Sequence, residues 1–129
     1  MPIRGVRGAT TVPADLPDLI LAATREMLQE ILIENPDLKA EDLASALFTI
    51  TDDLRSVYPA KAARDLGWTE VPLLCAQEIP VPGSVPRCIR VLLHWNTHLS
   101  QSQINHVYLH DAVQLRPDLV KSSHARGST

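Results

Sequence analysis

The sequence predicts an α+β protein in which one mixed β-sheet carries a long helix packed on one face. Two observations support this fold class. Short segments rich in apolar and β-branched residues recur along the chain, and the clearest is the run CIRVLLHW at residues 88–95. Residues 16–34 instead place apolar side chains at helical spacing, with polar residues opposite. We find no internal repeat or linker, so a single domain over residues 1–119 is expected.

The first half of the chain is expected to form a strand, a long helix and a second strand. Residues 3–12 form the first strand, with two glycines that allow a bulge or a close backbone approach. Asp15 is expected to cap the long helix, which has Pro17 in its first turn and ends at the Asn-Pro pair of residues 35–36. The second strand is expected over residues 44–51.

The second half of the chain continues with shorter elements. The predicted elements are a helix over residues 59–66 and strands over residues 71–79, 87–95, 104–109 and 112–115. Gly67 marks the end of the helix. Residues 120–129 lose the hydrophobic patterning, and we expect them to form a flexible C-terminal tail.

Composition and charge exclude several classes of protein. The 129 residues are 45% hydrophobic and 21% charged, which is typical of a globular domain with a hydrophobic core. A net charge of −3 without basic runs argues against a nucleic-acid partner, and no apolar stretch is long enough to span a membrane. Cys75 and Cys88 are the only cysteines and no signal peptide is visible, so we expect a cytoplasmic protein. A disulfide between the two stays open.

One helix covers only one face of the predicted sheet. The other face would carry apolar residues such as Leu92, Leu93 or Trp95, depending on the register. The alternative is a face that is half polar and solvated. Because a monomer rarely exposes so apolar a surface, we expect this face to pack against other copies of the chain.

Arginines in strand-like segments are the main functional signal. Arg90 interrupts the apolar run at residues 88–95, and Arg7 lies in the first predicted strand. Lys61 and Arg64 are three residues apart on the predicted short helix and are therefore neighbours on one face. Burying a guanidinium is costly unless an anion meets it. The pattern indicates a small anionic ligand held by several cations.

The same residues also have ordinary interpretations. The four cations fit solvent-facing side chains of an edge strand or a basic helix face, and Glu78 fits a strand-end acid paired with a surface lysine. Tyr108 fits a core ring, and the cysteines fit small buried hydrophobes. His94 and His98 are four residues apart, but on a strand and a loop this spacing does not favour a metal site. Without a nucleophile motif, an enzyme with these residues would act by positioning and electrostatics.

Six motifs occur in order along the chain and together carry a family resemblance. They are RGVRGATT at residues 4–11, YPAKAAR at 58–64, CAQE at 75–78, RCIR at 87–90, HVYL at 106–109 and LRPDL at 115–119. In this arrangement the chain resembles the trimeric, mainly β chorismate mutases of the Bacillus type, which are distinct from the all-helical mutases. The resemblance extends from residue 1 to residue 119.

The resemblance implies both a fold and a reaction. In this family an α+β chain forms a homotrimeric pseudo-α/β-barrel with the sheets packed in the middle, and three active sites lie between neighbouring subunits. The implied activity is that of an isomerase, which converts chorismate to prephenate by a Claisen-type rearrangement on the route to phenylalanine and tyrosine. The reaction uses no cofactor, metal or covalent intermediate.

The resemblance also implies roles for individual residues. The implied catalytic residues are Arg90, which stabilises charge on the breaking ether oxygen, Arg7, which binds a substrate carboxylate, and Glu78, which hydrogen-bonds the ring hydroxyl. The implied substrate-binding residues are these three together with Tyr58, Ala60, Lys61, Arg64, Leu74, Cys75, Tyr108, Leu115 and Arg116.

The implied positions of these residues differ. Residues 58–61 would line the entrance from the adjoining chain, and Arg64 would be a mobile cation that closes over the site. Tyr108 would contact a substrate carboxylate. Leu115 and Arg116 would belong to a tail that becomes ordered over bound ligand. The alternative function is a non-catalytic or deaminase-like trimer that binds a small anionic metabolite in clefts between subunits.

Overall fold

Within residues 1–115, which a computed structural model describes, the chain forms one five-stranded sheet and two α-helices. The strands are β1 (Ile3–Thr11), β2 (Leu43–Ile50), β3 (Leu73–Gln77), β4 (Cys88–Asn96) and β5 (Val107–Tyr108). The helices are α1 (Pro17–Glu34) and α2 (Ala60–Asp65), with short 3₁₀ segments at Ala40–Asp42, Gln101–Gln103 and His110–Leu115. The predicted tail at residues 120–129 and Arg116 lie outside the described residues.

The sheet is mixed, and its strands lie in the order β3-β2-β4-β1-β5. Strand β4 runs antiparallel to both of its neighbours, β1 and β2. The pairs β2–β3 and β1–β5 are parallel. The predicted α+β class with a mixed sheet and one long helix is confirmed.

Helix α1 covers one face of the sheet with an apolar stripe. Its buried residues are Ile20, Thr24, Met27, Leu28 and Ile31. Their spacing of three or four residues places them on one side of the helix. A Cβ at Gly8 of β1 would lie 2.7 Å from Ile31 Cδ1 and 3.3 Å from Met27 Cγ. A larger residue at this position would therefore require the side chains of α1 to shift, and glycine allows the strand to approach the helix closely.

Strand β4 divides its side chains between the two faces of the sheet. Its buried core residues are Ile89, Val91, Leu93 and Trp95. The intervening residues Arg90, Leu92 and His94 lie on the opposite face. Because β4 is the central strand, Arg90 is not an edge-strand residue.

We call the face of the sheet away from α1 the open face. A row of paired residues crosses four strands there: Leu74 on β3, Leu47 on β2, Leu92 on β4 and Arg7 on β1. Leu74 is 66% exposed. This is the face for which the sequence predicts contact with other copies of the chain.

The 3₁₀ segment His110–Leu115 covers one end of the open face. Its residue Ala112 forms a small buried cluster with Ala9 and Cys88, and this cluster is separate from the main core. Tyr108 and Leu115 pack against this cluster and are partly buried. The segment thus leaves the middle of the open face uncovered and forms a wall beside it.

The start of α1 differs from the prediction. Leu16 is the N-cap residue and makes no side-chain capping bond, while Pro17 occupies the first helical position. The carboxylate of Asp15 instead accepts hydrogen bonds from the backbone N–H groups of Arg55 and Ser56 and from Ser56 Oγ. Asp15 therefore ties the loop after β2 to the start of the helix.

The region after β4 also differs from the prediction. The strand predicted at residues 104–109 is reduced to two residues, because the N–H of Asn105 bonds to Asn35 Oδ1 rather than to a neighbouring strand. His110 has a φ of 53°, which ends the extended conformation. Residues 112–115 are consequently part of a 3₁₀ helix, and the strand predicted there is wrong. Among the pairings of the five described strands, a register shift occurs in β2 at Leu43–Ser45, whereas β1 pairs with β4 without interruption.

Among the helices of residues 1–115, none combines the length and the apolar character needed to cross a membrane.

Candidate active site

A cavity of about 360 Å³ opens on the open face of the sheet. It is lined by Arg7, Gly8, Leu47, Thr49, Glu78, Arg90, Val91, Leu92, Tyr108 and Leu115. Five of these residues were predicted from the sequence to bind substrate: Arg7, Glu78, Arg90, Tyr108 and Leu115. They come from three strands, from the residue that follows β3 and from the C-terminal 3₁₀ segment, so the tertiary fold brings together residues that are distant in sequence.

The register of the sheet places the central residues of the cavity in one line. Thr49 on β2 is paired with Arg90 on β4. Arg90 is in turn paired with Ala9 on β1, and Ala9 with Tyr108 on β5. Paired residues present their side chains on the same face. Ala9, which lies between Arg90 and Tyr108 in this line, is fully buried and does not itself line the cavity.

Glu78 and Arg90 form a bidentate ion pair. Arg90 Nη2 lies 2.7 Å from Glu78 Oε1, and Arg90 Nε donates to Glu78 Oε2 at 2.7 Å. The backbone N–H of Glu78 donates to the carbonyl of Ile50 at 2.8 Å, which fixes this residue beside the end of β2. Thr49 Oγ1 also donates to Glu78 Oε2. The pair holds the guanidinium in one orientation at the edge of the cavity.

Both members of this pair are held in their charged forms. Partial burial by itself would raise the pKa of Glu78, but hydrogen bonds from Arg90 and Thr49 and the Arg90 charge outweigh it and lower the pKa. Burial opposes the charge on Arg90 as well, yet the hydrogen bond and charge of Glu78 raise its pKa. At neutral pH the cavity therefore contains an ionised carboxylate beside a guanidinium.

Arg7 adds a second cation to the cavity. Its backbone N–H donates to His106 Nδ1 at 2.9 Å, which links β1 to the residue before β5. Its guanidinium makes no hydrogen bond or ion pair with any other residue of the described range 1–115. Arg7 and Arg90 together outweigh the single negative charge of Glu78. The cavity therefore has a positive local charge, which favours an anionic ligand.

The two cysteines are in different environments, and both are free thiols. Cys88 is buried beside Ala9, and burial raises the pKa of its thiol to about 11. Cys75 is partly buried and packs against the main core. Neither lines the cavity, and Cys88 stays a protonated thiol at neutral pH.

A second group of predicted site residues does not line this cavity. Its members are Tyr58, Ala60, Lys61, Arg64, Leu74 and Cys75. Ala60 is buried in the main core, whereas Tyr58 is 71% exposed and Lys61 pairs with Asp65 four residues along α2. Arg64 is exposed on the same helix. The roles of these residues in substrate binding stay predictions, as does that of Arg116, which lies outside the described residues.

Five residues that line the cavity were not predicted as site residues from the sequence: Gly8, Leu47, Thr49, Val91 and Leu92. Leu47 and Thr49 alternate on β2 and so share a face, a pattern that the sequence does contain. What the sequence does not contain is the pairing of Thr49 with Arg90 or its bond to Glu78. Those depend on the register between distant strands.

A metal site requires several ligating side chains close together. Across residues 1–115, no group of three or more His, Cys, Asp or Glu side chains is arranged so as to hold a metal ion.

The chain matches known proteins over nearly its whole length. The family model for chorismate mutase type I matches residues 3–119. The chain is 55% identical over 117 residues to the chorismate mutase AroH of Thermus thermophilus, covering 91% of this chain and 96% of that protein. It is 49% identical over 120 residues to the chorismate mutase AroH of Bacillus subtilis (strain 168), covering 92% of this chain and 94% of that protein.

A solved structure supports the same relationship. The chorismate mutase from Clostridium thermocellum is similar with a TM-score of 0.81 and 46% sequence identity, covering 84% of this chain and 96% of that structure. The family match spans most of the chain and includes every cavity residue described above. The resemblance noted from the sequence motifs is thus confirmed, and the chain belongs to the type I chorismate mutase family.

Proposed function

We propose that this protein is an isomerase that converts chorismate to prephenate in the biosynthesis of phenylalanine and tyrosine. The observation that carries the proposal is the Arg90–Glu78 pair, held in one orientation in a cavity on the open face that also contains the guanidinium of Arg7, which is unpaired among residues 1–115. Chorismate is a dianion with a ring hydroxyl. Guanidinium groups suit its carboxylates, and the Glu78 carboxylate suits its hydroxyl as a hydrogen-bond acceptor.

The reaction is a rearrangement within one molecule. The ether C–O bond breaks ahead of the formation of the new C–C bond, so negative charge develops on the ether oxygen in the transition state. No proton or group is transferred to the protein. A cation fixed at that oxygen lowers the barrier because it interacts more strongly with the transition state than with the substrate.

We assign this role to Arg90. A guanidinium has five N–H donors, and the pair with Glu78 uses one on Nε and one on Nη2. Three donors are left for the substrate. Since Glu78 and the central strand already fix the side chain, little reorganisation is needed when charge develops on the ether oxygen.

The remaining cavity residues bind and fold the substrate. Arg7 would bind one carboxylate, with Tyr108 beside it, and Glu78 would accept a hydrogen bond from the ring hydroxyl. Leu115 would form an apolar wall, and Arg116 would follow it over the ligand. Holding the flexible substrate in its folded, reactive conformation lowers the entropic part of the barrier. We propose that neither a cofactor nor a metal takes part.

We further propose that the active unit is a homotrimer with its sites between subunits. The proposal is supported by the family relationship and by the apolar open face, where Leu74 is largely exposed in one chain. In such an assembly Tyr58, Lys61 and Arg64 of a neighbouring subunit would complete the entrance to the cavity. A cytoplasmic location is our proposal as well, in keeping with two free thiols.

The test is the loss of chorismate absorbance with purified wild-type protein and the variant Arg90→Ala. We expect rapid conversion to prephenate by the wild type and a catalytic constant lower by at least about 100- to 1,000-fold in the variant. Arg25→Ala is the matched control, since Arg25 is an exposed arginine on α1 away from the cavity. It should retain full activity.

Two outcomes would contradict this proposal. Wild-type protein that is folded but leaves chorismate unchanged would exclude the mutase activity. If chorismate then raised the melting temperature while simple dicarboxylates did not, a non-catalytic binding function would replace it. Near-normal turnover by Arg90→Ala would instead refute the role assigned to Arg90.

A further inference from the structure

We propose that Thr49 is a positioning residue, whose hydroxyl occupies one acceptor site on Glu78 Oε2 and so leaves Oε1 to receive the substrate hydroxyl. This inference rests on the proposed function, because it concerns the orientation of the Glu78 carboxylate that accepts the substrate hydroxyl. The residue was not singled out by any sequence motif. Its role follows from its hydrogen bond and its place in the sheet.

The acceptor sites of Glu78 can be assigned from the contacts. An ionised carboxylate has about four lone-pair sites, two on each oxygen. Oε2 accepts from both Arg90 Nε and Thr49 Oγ1, whereas Oε1 is contacted within the described residues 1–115 by Arg90 Nη2 alone. Oε2 is therefore fully used within the protein. The remaining acceptor site lies on Oε1.

Strand β2 holds Glu78 at two points through consecutive residues. The carbonyl of Ile50 accepts from the Glu78 backbone N–H at 2.8 Å, and the hydroxyl of Thr49 donates to the carboxylate. A β-branched side chain such as threonine has restricted χ1 rotation on a strand. Thr49 also lines the cavity and lies opposite Arg90. The contact with Ile50 fixes the Glu78 backbone, and the bond from Thr49 orients the carboxylate even when substrate draws on the guanidinium of Arg90.

The hydroxyl also affects the ionisation of Glu78. Its hydrogen bond contributes to the lowered pKa of this carboxyl, after burial and the bond from Arg90. The titratable and charged groups around Glu78 are Arg90 and Cys88 on β4, Arg7 on β1, Tyr108 on β5, and Asp52 and Asp53 in the turn after β2. All of them are retained when only Thr49 is changed, so a change in the titration of Glu78 reports the lost hydroxyl.

The experiment compares wild type, Thr49→Val and Thr49→Ser. Valine keeps the branched shape without the hydroxyl, and serine keeps the hydroxyl without the methyl group. We expect kcat/KM to fall about tenfold in Thr49→Val, as for the loss of a hydrogen bond to a charged group. The acid limb of its pH profile should move to higher pH, because the ionised carboxylate has lost a donor. Thr49→Ser should behave like wild type in both respects.

A second measurement does not depend on activity. Carbon-13 NMR titration of the Glu78 carboxyl in the same three proteins should show a higher pKa in Thr49→Val and a return to the wild-type value in Thr49→Ser. An unchanged Glu78 titration and an unchanged acid limb in Thr49→Val would overturn the inference. Equal impairment of the serine and valine variants would also overturn it, since the methyl group rather than the hydroxyl would then matter. An inactive wild type would refute the proposed function, and the NMR result would still decide the role of Thr49.

Discussion

At the scale of single residues, the site uses hydrogen bonds to hold charges that the sheet alone would not orient. Arg90 and Glu78 are separated by the width of β2 in the order of strands, yet Glu78 reaches Arg90 because it follows the end of β3 and bonds to Ile50. The pair is only partly buried, with side-chain exposures of 46% for Arg90 and 21% for Glu78. Its main contribution is therefore orientation at the cavity rather than a large gain in stability.

Thr10 illustrates the opposite case, a polar group without a hydrogen-bonding role in the described part of the chain. It is fully buried on the core side of β1, and its Oγ1 has no hydrogen-bond partner among residues 1–115. Leaving a buried hydroxyl unsatisfied costs free energy, whereas an apolar group of the same shape does not. Thr10 is thus a site where the sequence does not maximise stability.

We expect Thr10→Val to increase the free energy of unfolding by up to about 1 kcal/mol, because valine fills the same space without the unpaired hydroxyl. Urea denaturation of the two proteins measures the difference. Thr10→Ala is the control, and it should be destabilised because it loses the methyl group as well. A valine variant that is clearly less stable than wild type would indicate that the hydroxyl has a partner.

The residues of the candidate site could be predicted only in part from the sequence. Arg7, Glu78, Arg90, Tyr108 and Leu115 were predicted through the family motifs, and all five line one cavity. The sequence patterns alone suggested only that the arginines meet an anion. They did not reveal that Arg90 forms an ion pair with Glu78, nor that Thr49 bonds to Glu78 and lies opposite Arg90 in the sheet. Those contacts arise from strand pairings between residues up to 41 positions apart, as for Thr49 and Arg90, and local patterns do not encode such register.

At the scale of elements, the longest and most periodic segments were predicted best. The expected helix over residues 16–34 is observed as Pro17–Glu34, and the expected strand over 87–95 as Cys88–Asn96. Both have apolar residues at a constant period over at least nine residues, which is the strongest local signal. The segment after residue 104 was predicted poorly because its conformation depends on hydrogen bonds to Asn35 at the end of α1.

Asp15 joins two elements through its carboxylate, and this contact has a pH dependence. The hydrogen bonds from Ser56 and from the backbone of Arg55 lower the pKa of Asp15. A carboxyl with a lowered pKa in the folded state stabilises the fold above its unfolded pKa, and this contribution is lost as the pH falls through the folded pKa. The link between α1 and the loop after β2 should therefore weaken in acid.

We expect Asp15→Asn to lower the melting temperature at pH 7. The neutral amide oxygen accepts the same hydrogen bonds less strongly than the charged carboxylate does. The difference from wild type should begin to shrink as the pH falls below the ordinary aspartate pKa of about 4, and it should disappear as the pH falls through the lowered pKa of the folded protein. Thermal denaturation of both proteins at several pH values between about 3 and about 7 measures how this difference in melting temperature changes with pH. Asp18→Asn, also at the start of α1, controls for the helix dipole. A constant difference across the range would contradict the assignment.

At the scale of the whole molecule, one chain contains two separate sets of predicted site residues. The cavity set includes Arg7, Glu78 and Arg90, whereas Arg64 lies on α2 and does not line that cavity. A heterologous interface, repeated around a three-fold axis, would join the cavity of each subunit to α2 of its neighbour. It would also cover Leu74, which is 66% exposed in the single chain. The trimer that we propose thus accounts for both features at once.

Mixing two impaired variants tests this arrangement. We expect Arg90→Ala and Arg64→Glu to be strongly impaired when each is assembled alone. When the two are unfolded together in equal amounts and refolded, about one interface in four should join an intact Arg90 cavity to an intact Arg64 surface if assembly is random. Chorismate turnover should therefore recover to about a quarter of the wild-type value, since each restored site acts independently.

The control mixture is Arg90→Ala with Glu78→Ala, because both changes lie in the same cavity and no combination of these chains restores a site. Sedimentation analysis of the mixtures should give about three times the chain mass of 14.2 kDa. If both mixtures stay inactive although trimers form, Arg64 does not act across a subunit boundary. If Arg64→Glu alone is fully active, α2 does not contribute to the site. Activity that returns in the mixture of Arg90→Ala and Arg64→Glu, but not in the control mixture, requires a site built from two chains. Every single chain in the first mixture lacks either Arg90 or Arg64, so no chain could form an intact site by itself.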